Sequence, residues 1–346
     1  MRLARLAVSV GCPCGVGPEV AVVAAAACTA ATCVLVGDTE LLRRAARARG
    51  VAVRRVKLVG DAAAIARLSP GDVGVWMPST ALASPSTYGR PRPTDGAAQL
   101  AWIDEATALV TAGWADALVT GPVSKHAIAT SGSRLAARFR GHTEHLAAGL
   151  GAREVVMAFH AEALTTALVT THLPLARVPR AVTPAAVATT VTWLARLLRA
   201  LGRRRPSLVV AALNPHAGEG GLLGREETTR LLPGIAVARR RLARLALPVT
   251  IVGPVGAETA FRVAAQGGYD GVVAMYHDQA TIPSKLLGFG EAVNVTLGLP
   301  IVRTSVDHGT GYDRAGRGTA DARGMLEAMG LAAVLAPKGR WLDPTA

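Results

Sequence analysis

Apolar and polar positions follow two rhythms along the chain. Short apolar runs bounded by glycine, proline or polar residues read as strands, and stretches with apolar positions three or four apart read as helices. On this pattern strands fall at 3–10, 32–36, 117–120, 155–160, 164–170, 208–213, 249–252, 270–274, 291–296 and 299–304. Helices fall at 40–48, 95–113, 184–201, 226–245 and 258–266, with another opening near residue 142 and a last one closing the chain. Strand and helix alternate in a βαβ rhythm, which predicts an α/β fold. The Pro-, Ser- and Thr-rich segment 77–93 reads as a surface loop. Residues 20–37 carry no charge and raise the question of a membrane span. Their alanines and the Gly17-Pro18 loop before them fit a buried helix running into a strand instead. Arg2 and Arg5 before an apolar run imitate a signal peptide, but Pro13 and Pro18 interrupt it. The expectation is a cytoplasmic protein with no membrane partner.

Composition changes this picture little. With 346 residues, half of them hydrophobic, the chain can fill one or two packed domains. The net charge of +14 invites a nucleic-acid reading. The excess is arginine scattered along helical stretches such as Arg239-Arg240-Arg241, and aromatics make up only 4%, so solvated faces explain it better and no nucleic acid is expected. The lysines are Lys57, Lys125, Lys285 and Lys338. Where arginine is the default cation a retained lysine is informative, and Lys125 and Lys285 lie in motif-like stretches. Cys12, Cys14, Cys28 and Cys33 have neither zinc-ribbon spacing nor the density of a disulfide scaffold, and read as small buried residues.

Candidate chemistry gathers at predicted strand ends, where open α/β sheets bind ligands. The loop Gly11 to Gly17 leaves backbone N–H groups free for an anion ahead of Pro18. The stretch Arg140-Gly141-His142-Thr143-Glu144-His145 opens a helix and suits a phosphate; an ordinary cap by Thr143 or His142 is the plainer alternative. Three strands run out into a histidine, at His172, His216 and His277. One such histidine is usually structural, whereas three neutral imidazoles with an open position suit a divalent ion such as Zn²⁺. Lys285 and Arg303, near strand ends, suit a phosphorylated or carboxylated substrate, though a solvated surface charge is the alternative for Arg303. A glycine-punctuated loop, Asp307 to Gly316, is placed to embrace a nucleotide.

Taken together these stretches resemble the 4-hydroxythreonine-4-phosphate dehydrogenases of pyridoxal phosphate biosynthesis, nearly end to end. The likeness is carried by Gly17-Pro18-Glu19, Thr120-Gly121-Pro122-Val123, Gly141-His142-Thr143-Glu144, Thr171-His172-Leu173-Pro174-Leu175 and the run Asn214 to Gly221. It continues through Met275-Tyr276-His277-Asp278-Gln279 and from Val293 to Thr310. The resemblance implies an isocitrate/isopropylmalate dehydrogenase-like fold, with two α/β domains around a central cleft. It implies a nucleotide-side domain of 1–130 plus 300–346 and a substrate, metal and dimerisation domain of 131–299. It implies a homodimer with shared active sites, in which His172, His216 and His277 hold a divalent metal (Zn, Mg or Co) and His277 serves the partner's site. His142, Thr143, Lys285, Asn294 and Arg303 would hold the substrate, and the loop of His308, Gly309, Thr310 and Asp313 the adenine end of NAD or NADP. The implied reaction is oxidation and β-decarboxylation of 4-phosphohydroxy-L-threonine.

This chain departs from the family pattern at several positions. Cys12 and Cys14 stand where the family has an acidic and a small residue, Ala280 replaces a glycine, and Gly311 replaces an alanine. The segment 282–289 is closer to a branch acting on D-threonate and D-erythronate 4-phosphates. Acyl transfer to phosphate and a catalytically silent ligand-binding paralogue are the alternatives of another class; the three histidines speak against the first.

Overall fold

The computed structural model describes residues 2–79, 82, 85–132, 134–288 and 290–337. Its contacts divide the chain into two units, Met1–Ala152 with Leu299–Gly339, and Arg153–Gly298 with the C-terminal tail. Residues 131–152, grouped by sequence with the substrate-side domain, fall in the first unit. Among the described residues the strands are, in chain order, β1 (Ala4–Ser9), β2 (Ala31–Val36), β3 (Val56–Leu58), β4 (Val73–Trp76), β5 (Ala117–Thr120), β6 (Val156–His160), β7 (Thr165–Leu168), β8 (Ser207–Ala211), β9 (Thr250–Val255), β10 (Gly271–Ala274), β11 (Val293–Leu297) and β12 (Arg303–Ser305).

In the first unit the strands lie in the order β3-β4-β2-β1-β5-β12, every neighbouring pair parallel. A parallel sheet covered by helices must be apolar on both faces, which is why β2 and β5 are buried at every position. Leu6, Leu35, Ile103 and Leu118 are fully buried there, each worth about 1.5–3 kcal/mol on removal from water. The uncharged stretch 20–37 is the buried helix Gly17–Ala27 followed by β2, as its composition suggests. Helix Pro93–Thr111 presses its backbone on helix Lys125–Ala129: a Cβ at Gly96 would sit 1.9 Å from the Ala127 carbonyl oxygen. Only glycine permits that approach.

The second unit has the order β11-β6-β7-β10-β8-β9. β6 pairs antiparallel with both β11 and β7, and the β7-β10-β8-β9 side is parallel. Leu168, Leu194, Leu197 and Leu208 are among its fully or almost fully buried side chains.

Two expectations change. The strand anticipated at 299–304 is only β12, because Pro300 cannot donate to a ladder. The helix anticipated over 226–245 begins as a π-turn at Glu227–Leu231 before the regular helix Leu232–Arg244. Pro233 supplies the reason, since its ring excludes the carbonyl four residues earlier from a regular turn.

No single helix among the described residues is long and apolar enough to cross a membrane. Leu175–Ala181 and Pro184–Ala200 reach that length only when joined across an 87° bend, and the second of them is largely buried in the fold.

Candidate active site

In the first unit a candidate anion pocket lies where β5 and β12 run side by side, with Arg303 opening β12 opposite Leu118 and Ser305 closing it opposite Thr120. Arg303 is 3% exposed, which rules out the solvated-charge alternative. Its Nη2 and Nε donate to Thr120 Oγ1 at 2.6 and 3.2 Å. Burial lowers its pKa to about 10, with Glu144 opposing the shift, so it stays charged at neutral pH. A buried cation attracts opposite charge, so this position is suited to an anion.

Helix His142–Gly149 starts at the same pocket. Gly141 is its cap residue and has no side chain to offer, so the capping role foreseen for Thr143 or His142 is not taken, and those two are the first helical residues. The His142 ring lies edge-on to Phe139 with centroids 6.2 Å apart. Burial, then the charges of Arg303, His145 and Lys125, hold its pKa well below the ordinary 6.5. The imidazole is therefore neutral at pH 7. Its Nε2 is buried and has no hydrogen-bond partner among the described residues. Buried polar atoms are rarely left so, and a ligand oxygen would satisfy this one.

Lys125 opens the helix Lys125–Ala129, whose start is capped by Ser124 Oγ, and lies beside Gly141: its Nζ would be 3.7 Å from a Cβ there. Sequence reasoning flagged this lysine for its rarity without assigning it to the site. His145 Nε2, behind the pocket, contacts Asp104 Oδ1 at 2.6 Å.

In the second unit β7, β10 and β8 are consecutive parallel strands, so their C-terminal ends share one edge. His172, His277 and His216 follow those three ends. Side chains tie the ends together: Thr170 Oγ1 donates to Met275 O at 2.7 Å, Gln279 Nε2 to Ala212 O at 2.8 Å, and Met275 N to Gln279 Oε1 at 2.6 Å. The rings of His172 and His277 meet with centroids 5.5 Å apart. His277 Nδ1 lies 2.7 Å from Asp278 Oδ1, the kind of contact that fixes a ring for ligation.

His216 stands in a run of left-handed backbone from His216 to Gly220, with φ values of 50, 54, 81, 44 and 64°. For the non-glycine residues His216, Ala217 and Glu219 that conformation costs roughly 1–2 kcal/mol each. Strain of this kind persists only where surrounding contacts enforce it. Within one chain no three His, Cys, Asp or Glu groups among the described residues are arranged to hold an ion.

Lys285 is exposed in the last turn of helix His277–Leu287, and Asn294 is half-buried on β11 opposite Phe159. Both belong to the second unit, whereas His142, Thr143 and Arg303 belong to the first.

The glycine loop after β12 is exposed at its tip, at His308, Gly309 and Asp313, and anchored at its base. Thr310 O accepts from Val16 N at 2.9 Å, Gly316 N donates to the buried Glu19 Oε1 at 2.6 Å, and Tyr312 OH lies 3.5 Å from Cys12 Sγ. Glu19 and Tyr312 are residues whose part only the fold discloses. Hydrogen bonding to Cys14 draws the Cys12 thiol down to about 7, against burial and aided by Tyr312. All four cysteines are buried and free, as their spacing implies.

Parallel strands that deliver cations at one edge and imidazoles at another are the build of an α/β enzyme. The crystal structure of 4-hydroxythreonine-4-phosphate dehydrogenase from Klebsiella pneumoniae has this fold, with a TM-score of 0.83 and 34% identity over 96% of this chain and 99% of that one. The class is thus an α/β dehydrogenase. Residues 29–332 match the family described as pyridoxal phosphate biosynthetic protein PdxA. The 4-hydroxythreonine-4-phosphate dehydrogenase of Geobacter metallireducens is 42% identical over 335 residues, covering 96% of this chain and 95% of that protein. That of Caulobacter vibrioides is 42% identical over 342 residues, covering 96% and 98%. The chain belongs to the PdxA family.

Proposed function

We propose that the protein oxidises 4-phosphohydroxy-L-threonine at its secondary hydroxyl with NAD or NADP and a divalent metal, and releases CO₂ from the resulting β-keto acid. The single observation that carries this reading is the shared edge of β7, β10 and β8 with one histidine after each end. A donor set of three imidazoles beside an edge cross-tied by Thr170 and Gln279 fits a divalent ion. His172 and His216 would hold it together with His277, which the family resemblance assigns to the partner's site. When bound, the ion would supply charge stabilisation at the reacting hydroxyl, and the nicotinamide would accept the hydride.

The chain's own residues do the rest. Arg303 and the neutral His142 receive the phosphoryl group, Arg303 as a charged donor and His142 through the Nε2 that has no partner among the described residues. The family resemblance adds Thr143, Lys285 and Asn294 to the substrate set, and Lys125 adds charge beside Gly141. Fixing the phosphoryl end holds the carbinol carbon against the cofactor, an orientation effect worth several kcal/mol. His308, Gly309, Thr310 and Asp313 would border the adenine end of the cofactor in a nucleotide-side unit. Leu173, Leu175, Leu222, Leu223, Ile282 and Leu286 are exposed close after the three histidines in sequence, an apolar surface that a second copy of the chain would cover. These exposed side chains support the homodimer with shared sites that the family resemblance implies.

Absorbance at 340 nm with either nucleotide, added Zn²⁺ or Mg²⁺ and a panel of 4-phospho acids tests the proposal. Reduced cofactor and CO₂ from 4-phosphohydroxy-L-threonine are expected. A larger kcat/KM on D-threonate 4-phosphate would move the substrate to the hydroxy-acid branch. Turnover of acetyl phosphate without nucleotide reduction would overturn the dehydrogenase reading.

A further inference from the structure

We propose that Glu227 is a positioning residue whose carboxylate holds the turn that presents His216, and so sets the protein's affinity for a divalent ion. The inference rests on the reading of His172, His216 and His277 as ligands. Glu227 begins the π-turn Glu227–Leu231 and is only 4% exposed. A π-turn interrupting a helix commonly marks a functional position. One oxygen, Oε1, accepts from the backbone N–H groups of Leu213 and Asn214 at 3.0 and 2.8 Å. The other, Oε2, accepts from Asn214 Nδ2 at 2.9 Å. Those residues are the exit of β8 into the left-handed run, so one carboxylate fixes both the backbone and the side chain at the turn's entrance.

The same group also lies under the turn's middle, since a Cβ on Gly218 would come within 2.9 Å of Glu227 Oε2. Gly224 completes the arrangement: a Cβ there would sit 2.5 Å from Asn214 Nδ2. At the turn's far side Leu222 N donates to Glu219 O and Leu223 N to Gly218 O. The left-handed segment carrying His216 is therefore held at its entrance by Glu227. Removing that hold lets the backbone relax toward ordinary conformations and swings the imidazole away. Glu226, which also accepts from Asn214 Nδ2 at 2.8 Å, makes no bond to the backbone N–H groups of Leu213 or Asn214 and serves as the control.

The test uses the full-length protein and three readouts: Zn²⁺ affinity by competition with a chromogenic chelator, hydrogen exchange across 213–223, and thermal melting. Glu227→Gln keeps the shape but turns an N–H toward Asn214 Nδ2. It should weaken Zn²⁺ binding ten- to a hundredfold and speed exchange within 213–223 alone, the size of effect seen when groups behind metal ligands are removed. Excess Zn²⁺ should restore much of the lost kcat. Glu226→Gln should stay within about twofold of wild type. If Glu227→Gln does not fold, Asn214→Ala, which severs only the side-chain link, should show the same two changes to a smaller degree. Wild-type affinity and exchange in a folded Glu227→Gln, or in Asn214→Ala where the first fails, overturn the proposal. Should the wild type bind no divalent ion, the ligand reading itself has failed, and exchange across 213–223 alone then decides whether Glu227 holds the turn.

Discussion

The anion site and the histidine edge are both built along parallel strands, Arg303 opening β12 beside β5 and the histidines following the ends of β7, β10 and β8, and they differ in how far one unit finishes the job. Arg303 is buried, locked onto Thr120 and flanked by a histidine whose charge burial suppresses. Its geometry is complete before any ligand arrives. The histidine edge has two rings in contact, a third on a left-handed turn, and apolar side chains standing in water, with Leu222 84% and Leu286 80% exposed. A pocket for a fixed charge can be assembled by packing alone. On the proposed function, a site that takes up an ion and a second subunit keeps its ligands reachable and its rim uncovered.

The sharpest way to break this contrast is His216→Ala. Turnover should fall about a thousandfold or more, the loss of several kcal/mol of charge stabilisation, and metal retained after gel filtration should vanish while the circular dichroism spectrum stays that of wild type. Full activity in that variant would remove the metal reading. Arg303→Met should cost roughly 2–5 kcal/mol of phosphoryl binding, seen as a drop of about thirtyfold or more in kcat/KM. Its melting temperature should hold or rise, because removing a buried charge relieves desolvation. A melting temperature that collapses would mean that Arg303 is structural.

Leu286→Glu, on the uncovered rim, should raise the dimer dissociation constant at least tenfold in analytical ultracentrifugation. The same change at Leu58, exposed on a strand of the first unit, should leave it untouched. The smallest effect concerns protons. The folded pKa of His142 lies below its unfolded value, so under acid conditions the unfolded chain binds a proton that the folded one refuses. Stability on this account is fully present above about pH 6.5 and is lost as pH falls below it, by at most about 1.4 kcal/mol per pH unit. His160, lowered by burial and then by Arg203, adds a like contribution from the second unit. In urea titrations at pH 5 to 7, His142→Asn should flatten part of that slope.

Strand ends were legible in the sequence because apolar runs stop at polar residues, and the edge shared by His172, His216 and His277 follows from parallel pairing. The pairing order β7-β10-β8 was not legible, since nothing local records which strand lies beside which. β3 and β4 escaped notice because β3 is only three residues long and two of its three positions are exposed. The left-handed turn is half visible: Gly218 and Gly220 hint at it, but His216, Ala217 and Glu219 adopt it against their own preference, held from Glu227 eleven residues away in sequence from His216. Arg303 reads in sequence as one arginine among many. Only its place beside β5 shows that this cation is enclosed.

The backbone contact between Gly96 and Ala127 reaches further than packing. Helix Lys125–Ala129 has no freedom to retreat from the helix it leans on, so a methyl group introduced at Gly96 would be transmitted to Lys125 as a displacement. On the proposed function, substrate recognition would then be lost, or retuned, through a position that never meets the substrate, and a survey of natural or laboratory variants restricted to pocket-lining residues would overlook it.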